Sequence, residues 1–304
     1  DDIAVVMGCV LGGIITLLGT LRAFLSEKKS NSSTWLPDEN NLAKRQFEVW
    51  CLQYTVVWIV LFGVVVVTGA YEWFNEWDYM NVCVVLASPF LLQPFLFPMD
   101  AEKTYPICQR YSFKANVWIA IFSFIGNYWY THYFYTVLKA EYLFPAHRLN
   151  DVPIALFFAT HFYFVTYHTF SNLILRKIET TYERSFLRTV FYWGSILGFA
   201  YFTAFMETLT ISSFPYYRFE DRFMAYTLGS AFYGIYFIVS FPVFYSLDEY
   251  VGKLALVVPN TVYQTVLESF GASMIVLCLL DFCRLICDVP LHIGGVLYYI
   301  YRKQ

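Results

Sequence analysis

Eight long apolar runs alternate with short polar stretches along this chain, at roughly 3–25, 47–70, 80–98, 115–138, 153–175, 189–212, 224–246 and 261–287. A run of about 18 or more apolar residues can cross the hydrocarbon layer as a helix. Lipid offers the backbone no water to bond with, so helix is the required form for each. The ten-residue alternation of a transmembrane barrel is missing. The pattern therefore predicts an all-α, polytopic integral membrane helix bundle of about eight spans. Four units follow: an N-terminal transmembrane helix over 1–26, a polar linker over 27–46, a seven-span membrane domain over 47–290, and an interfacial tail over 291–304. The chain opens on Asp1, and Ile3–Leu25 exceeds a signal-peptide core of about 7–15 residues, so it reads as a retained span.

Breakers and charges refine this layout. Pro89, Pro94 and Pro98 fall in the third run and predict a kinked or partly unwound helix; Pro242 does the same near the end of the seventh. Loops after spans 1, 3, 5 and 7 hold 13 Lys and Arg against 7 on the other side, which places the first set in the cytoplasm or its equivalent and both termini opposite. Asn31-Ser32-Ser33 is a formal glycosylation sequon, but this topology leaves it on the unglycosylated face.

Composition agrees. Of 304 residues, 58% are hydrophobic and 14% charged, far below the roughly 25% charged of soluble chains. The net charge of −3 gives no support to nucleic-acid binding. Seven cysteines show no CxxC and no zinc spacing, so they read as reduced packing residues, and no metal site is expected.

Ionisable groups inside apolar runs need a reason. By helical rise, His132, His161, Glu207 and Asp281 all lie roughly 8–12 Å inside the same boundary, on four different helices. His161, His168 and Asn172 follow at i, i+7 and i+11 along one face of span 5. The bland alternative for each is a hydrogen bond between helices. Glu268 reads as a structural partner of Lys253 or Arg188, with a second acid as the alternative, and Asp248-Glu249 as an interfacial pair ending span 7. In the loop from Phe214 to Arg222, Arg218 and Arg222 are expected to pair with Glu220 and Asp221; a cap over a pocket mouth is the functional alternative. No Walker, dinucleotide, G-x-S-x-G or HExxH motif is present, although the histidines leave a haem open. Several proton donors and acceptors without an evident ion path point to proton chemistry on a lipid-like substrate.

Ordered motifs then carry a resemblance. Lys114-Ala-Asn-Val-Trp, Gly126-Asn-Tyr, Thr131-His-Tyr-Phe, Asn150-Asp-Val-Pro, Thr160-His, Tyr167-His, Ser171-Asn, Glu207-Thr, Phe214-Pro-Tyr-Tyr, Tyr236-Phe-Ile-Val-Ser-Phe-Pro and Leu280-Asp-Phe-Cys-Arg-Leu make the chain similar to the cycloeucalenol cycloisomerase family over roughly residues 35–290. The resemblance implies a sterol isomerase that works without a cofactor. It would open the 9β,19-cyclopropane ring of cycloeucalenol to give obtusifoliol. An acid protonates the strained ring, a cation forms near C9, and a base removes the C8 proton. On this basis Glu207 is expected as the acid, His161 as the base, and His132 with Asp281 as proton-orienting or exchanging groups. Asn127 or Asn172 would hold the sterol 3-hydroxyl, and Tyr128 and His168 join them as expected substrate-binding residues. Aromatic faces would stabilise the cation.

Two departures from the plant-type pattern stand out: the first span with its linker is extra, and Ile154 stands where plant members carry His. They motivate an alternative, a silent family member serving as an accessory subunit of a larger membrane assembly such as a mitochondrial respiratory complex. A third reading is a lipid carrier. Expected partners are a sterol or lipid ligand and membrane lipids, with other membrane subunits in the alternative. The family implies the endoplasmic reticulum membrane; the alternative implies the mitochondrial inner membrane.

Overall fold

The computed structural model describes residues 2–29, 33–212, 214–220, 223, 225–251, 258–293 and 296–298. Every one of the eight apolar runs is helical. They form α1 (Asp2–Ala23), α2 (Leu42–Val67), α3 (Glu76–Leu96), α4 (Tyr111–Ile125) continuing through a π-helical turn Gly126–Tyr130 into α5 (Thr131–Val137), α6 (Ile154–Thr181), α7 (Phe186–Ser212), a second π turn Ala225–Gly229 leading into α8 (Ser230–Ser246), and α9 (Val262–Ile286). Starts are chemically marked where a polar residue precedes an apolar run. Asn75 and Asp78 make a capping box for α3, and Thr261 and Gln264 make one for α9.

Among the described residues, six helical segments are long and apolar enough to cross a membrane: Val5–Ala23, Glu39–Val67, Glu76–Leu96, Phe186–Thr210, Ala225–Ser246 and Val262–Ile286. The two remaining runs are the interior ones. The α4–π–α5 segment is divided by its π turn. Helix α6 is long but more polar, because α2, α3, α4, α7 and α8 pack around it and shield it from lipid. Its buried face carries His161, Thr166, His168, Asn172 and Arg176, which a lipid-facing helix would not tolerate.

Two local expectations change. Helix α3 is not unwound at its prolines: it runs unbroken to Leu96, and the Val85 carbonyl that Pro89 leaves without an amide accepts from Ser88 Oγ at 2.9 Å. The linker is tied down. The Lys28 amide donates to Thr181 O at 2.8 Å and the Thr34 amide to Thr180 Oγ1 at 3.1 Å, both at the end of α6. Asn31 and Ser32 of the sequon lie outside the described residues. Helix α1 packs on α7, where Gly198 and Gly194 let Ile14 and Leu18 approach; a Cβ at Gly198 would meet Ile14 at 2.8 Å.

The inner end of the bundle holds a buried ion network. Arg176 and Lys44 are both 0% exposed. Arg176 reaches Glu48 at 2.8 Å and Glu249 at 2.7 Å, Lys44 reaches Glu249 at 3.2 Å, and Lys114 pairs with Asp248. This corrects the reading of Asp248 and Glu249 as an interfacial pair: both are buried, and each neutralises a cation from another helix. Burial alone would raise the Glu249 carboxyl, but Lys44 and Arg176 outweigh it and hold the group down at about 2. Nearby, the buried Glu102 carboxylate accepts from Ser112 N at 3.0 Å and Ser112 Oγ at 2.6 Å, satisfying an orphan amide at the start of α4. Glu268 accepts from Asn260 Nδ2 at 2.8 Å; Lys253, one of the partners expected for it, lies outside the described residues.

Candidate active site

Where α7 and α8 face the first π turn and α6, the bundle leaves a small cavity of about 70 Å³. Glu207 of α7 lines it, and among its described lining residues no His, Lys or Arg is present. Tyr233 of α8 donates to Glu207 Oε2 at 2.9 Å. The other polar side chains at the wall are largely committed elsewhere. Asn127 Nδ2 donates to Ser123 O at 2.9 Å and Thr160 Oγ1 at 2.6 Å, and Thr208 donates to Ala204 O at 2.9 Å. Among the described lining residues Glu207 is therefore the one carboxyl, a group type whose proton moves at modest energetic cost.

The rest of the wall is aromatic. Phe134, Tyr233 and Tyr236 meet edge to face, with ring centroids 5.3 Å apart for Phe134–Tyr233 and 4.7 Å for Tyr233–Tyr236. Such faces attract a cation in a dry site. The outer end is closed by two short loop strands, β1 (Glu141–Tyr142) and β2 (Tyr217–Arg218), which pair antiparallel. Tyr142 and Tyr217 stack there at 4.5 Å and both line the cavity, with Phe219 beside them. Burial pushes both phenols up, so they remain neutral and extend the apolar lid. The loop through Phe214 is thus a cap. Its Arg218 pairs with Glu141 across the strands, at 2.8 Å, and not with Glu220. Asp221 and Arg222 lie outside the described residues.

The groups predicted to share one layer are divided. Glu207 and Asn127 meet at the cavity. His161 does not line it: Thr160 and Phe164 face the cavity from α6, and the next side chain turns away by about 100°. Its Nε2 instead sits 2.9 Å from Asn116 Oδ1, joining α6 to α4. His132 is buried beside Tyr135, and its Nε2 has no hydrogen-bond partner among the described residues. Asp281 is held by Arg284 at 2.6 Å and by the Tyr133 hydroxyl at 3.3 Å. His168 lies between Phe164 O at 2.7 Å and Ser240 Oγ at 2.8 Å, boxed by Trp118, Phe241 and Phe244. Asn172 donates to Glu48 at 2.9 Å and belongs to the ion network. Tyr128 points to the lipid side, stacked on Phe124.

The chain is 40% identical over 274 residues to cycloeucalenol cycloisomerase of Arabidopsis thaliana, covering 87% of this chain and 94% of the relative. The chain belongs to the cycloeucalenol cycloisomerase family. No family model matches the sequence, and no solved structure matches it. The family motifs converge on the cavity from several elements: Gly126-Asn from the π turn, Thr131, Thr160, Glu207-Thr and Tyr236 all line it. Ile154, the departure from the plant-type pattern, opens α6 and is absent from the lining.

Tyr233 and Phe134 escaped sequence reasoning. Among 26 Tyr and 31 Phe, no local pattern separates a cavity aromatic from a packing one. The two π turns flanking the site were equally hidden; such turns frequently accompany functional sites.

Proposed function

We propose that this membrane protein is a sterol isomerase that opens the 9β,19-cyclopropane ring of cycloeucalenol to give obtusifoliol, using Glu207 as the proton donor. The observation that carries the reading is a single carboxyl in an aromatic, membrane-level cavity of a chain that belongs to the cycloeucalenol cycloisomerase family. In its protonated form Glu207 delivers a proton to C19, the C9–C19 bond breaks, and its electron pair forms the new C–H bond. The cation left at C9 faces Phe134, Tyr233 and Tyr236. Loss of the C8 proton then closes the C8–C9 alkene.

The second proton needs an acceptor. His161 is turned toward Asn116, so the carboxylate that donation has just created is the acceptor at hand, with Tyr233 donating to it. One group thus serves both steps: it is acid first and base second, and it ends the cycle protonated. Sterol chemistry in the lipid phase agrees with residence in the endoplasmic reticulum membrane.

The test is direct. Purified protein in proteoliposomes is given cycloeucalenol, and obtusifoliol is sought by mass spectrometry. Wild type is expected to convert it, and Glu207→Gln to be inactive while retaining its helical content and its elution volume. Turnover by Glu207→Gln ends the assignment of this residue. Absence of conversion by wild type ends the isomerase reading and favours the accessory-subunit alternative.

A further inference from the structure

The cavity at Glu207 is far smaller than the roughly 300–1000 Å³ of ordinary ligand sites, so a tetracyclic substrate needs a way in. A second depression lies on the lipid side of the same π turn. Between α4 and α9 runs an apolar groove of about 580 Å³, with Phe124, Tyr128 and Trp129 on one wall and Phe270, Met274 and Leu277 on the other. Phe124 and Tyr128 stack at 5.8 Å with rings 13° from parallel, which gives that wall of the groove a paired aromatic lining. Its residues are exposed to the bilayer: Met274 by 58%, Phe270 by 51%.

The π turn joins the two spaces. Gly126 and Asn127 line the cavity, whereas Tyr128 and Trp129 line the groove. Tyr130 stands between. Its ring packs 4.7 Å from that of Tyr236 in the cavity wall, and its hydroxyl donates to Ser273 O in the groove wall at 2.9 Å. It is fully buried, so one side chain bridges both walls. The π turn also frees backbone groups that need other partners, and Asn150 Nδ2 meets the Tyr128 carbonyl at 2.7 Å.

We propose that the α4–α9 groove is the membrane-side docking site for a 3-hydroxysterol, and that Tyr130 is the gate between it and the Glu207 cavity. The inference rests on the sterol-isomerase reading for the identity of the occupant. A sterol dissolved in the bilayer meets the groove without leaving lipid, settles on the Phe124–Tyr128 face, and passes inward when the Tyr130 hydroxyl releases Ser273.

Two measurements test this. First, wild-type protein in phosphatidylcholine vesicles is irradiated with a 3β-hydroxysterol carrying a ring diazirine, and the adducts are mapped by mass spectrometry. Adducts on 120–129 and 270–277 that excess unlabelled sterol displaces are expected; labelling that is scattered and undiminished by competitor overturns the proposal. Second, Ala120→Trp fills the groove from its lipid side. Its KM for cycloeucalenol is expected to rise about tenfold with kcat little changed, the mark of lost binding rather than lost chemistry. An unchanged KM together with an unlabelled groove sinks the docking site while leaving the isomerase intact. Competable labelling in a protein that converts no cycloeucalenol sinks the isomerase reading and leaves the sterol site standing.

Discussion

The Tyr233 hydroxyl lies 2.9 Å from Glu207 Oε2 and joins α8 to α7 at the cavity wall. A phenol donor strengthens its bond when the carboxyl becomes charged, which happens midway through the proposed reaction. Hydrogen bonds to charged groups contribute about 1.5–3 kcal/mol, or roughly 10–100-fold in rate. Tyr233→Phe is therefore expected to lower kcat by about that factor with little change in KM. Steady-state kinetics in proteoliposomes checks it. Wild-type kcat in the variant removes Tyr233 from the chemistry and leaves it a packing residue.

The ion network at the inner end makes a stability prediction. Arg176 holds Glu48 and Glu249 together with its charge out of water. Removing one partner of a buried pair leaves the others uncompensated, at a cost of about 3–5 kcal/mol. Arg176→Met is expected to lower the melting temperature in detergent steeply, and addition of Glu48→Gln and Glu249→Gln to restore part of the loss. A melting temperature that stays at the wild-type value shows the network to be dispensable.

The same network sets a pH dependence. Glu249 titrates at about 2 in the folded protein against its ordinary 4.5. A lowered folded value means that the group's contribution to stability is complete above 4.5 and is lost as pH falls toward about 2. Other carboxylates titrate there too, so the difference between proteins is the readout. Glu249→Gln should flatten the acid limb of the melting curve against pH, and parallel limbs for the two proteins refute the assignment.

How much of this was legible beforehand depends on the kind of information. The eight helices follow from hydropathy, and their ends lie within about six residues of the predicted runs. Rise per residue is fixed, so the sequence supported an expectation of height. It supported none of direction. Helices that are aromatic on every side give no azimuth, so His161, His132 and Asp281, expected at the level of Glu207, turn to Asn116, Tyr135 and Arg284. The ion network was invisible for another reason. Lys44, Arg176 and Glu249 sit at span ends, where charges ordinarily meet water, and Lys44 and Arg176 both converge on Glu249 from distant parts of the chain. Only the packed bundle reveals that they are buried.

The cap supplies the last test, because it separates two ways into the cavity. Glu141 and Arg218 are register partners in the antiparallel pair that closes the outer end. Facing residues on such strands have Cα atoms about 4.5–5.5 Å apart, within the range a disulfide spans. The double variant Glu141→Cys with Arg218→Cys should therefore cross-link on mild oxidation, with thiol loss as the check. If substrate came from the aqueous side, the locked cap would stop turnover, and reduction would restore it. Admission past Tyr130 from the bilayer needs no opening of the cap. Oxidised protein is then expected to retain its reduced-state kcat/KM, whereas Ala120→Trp loses it in either redox state.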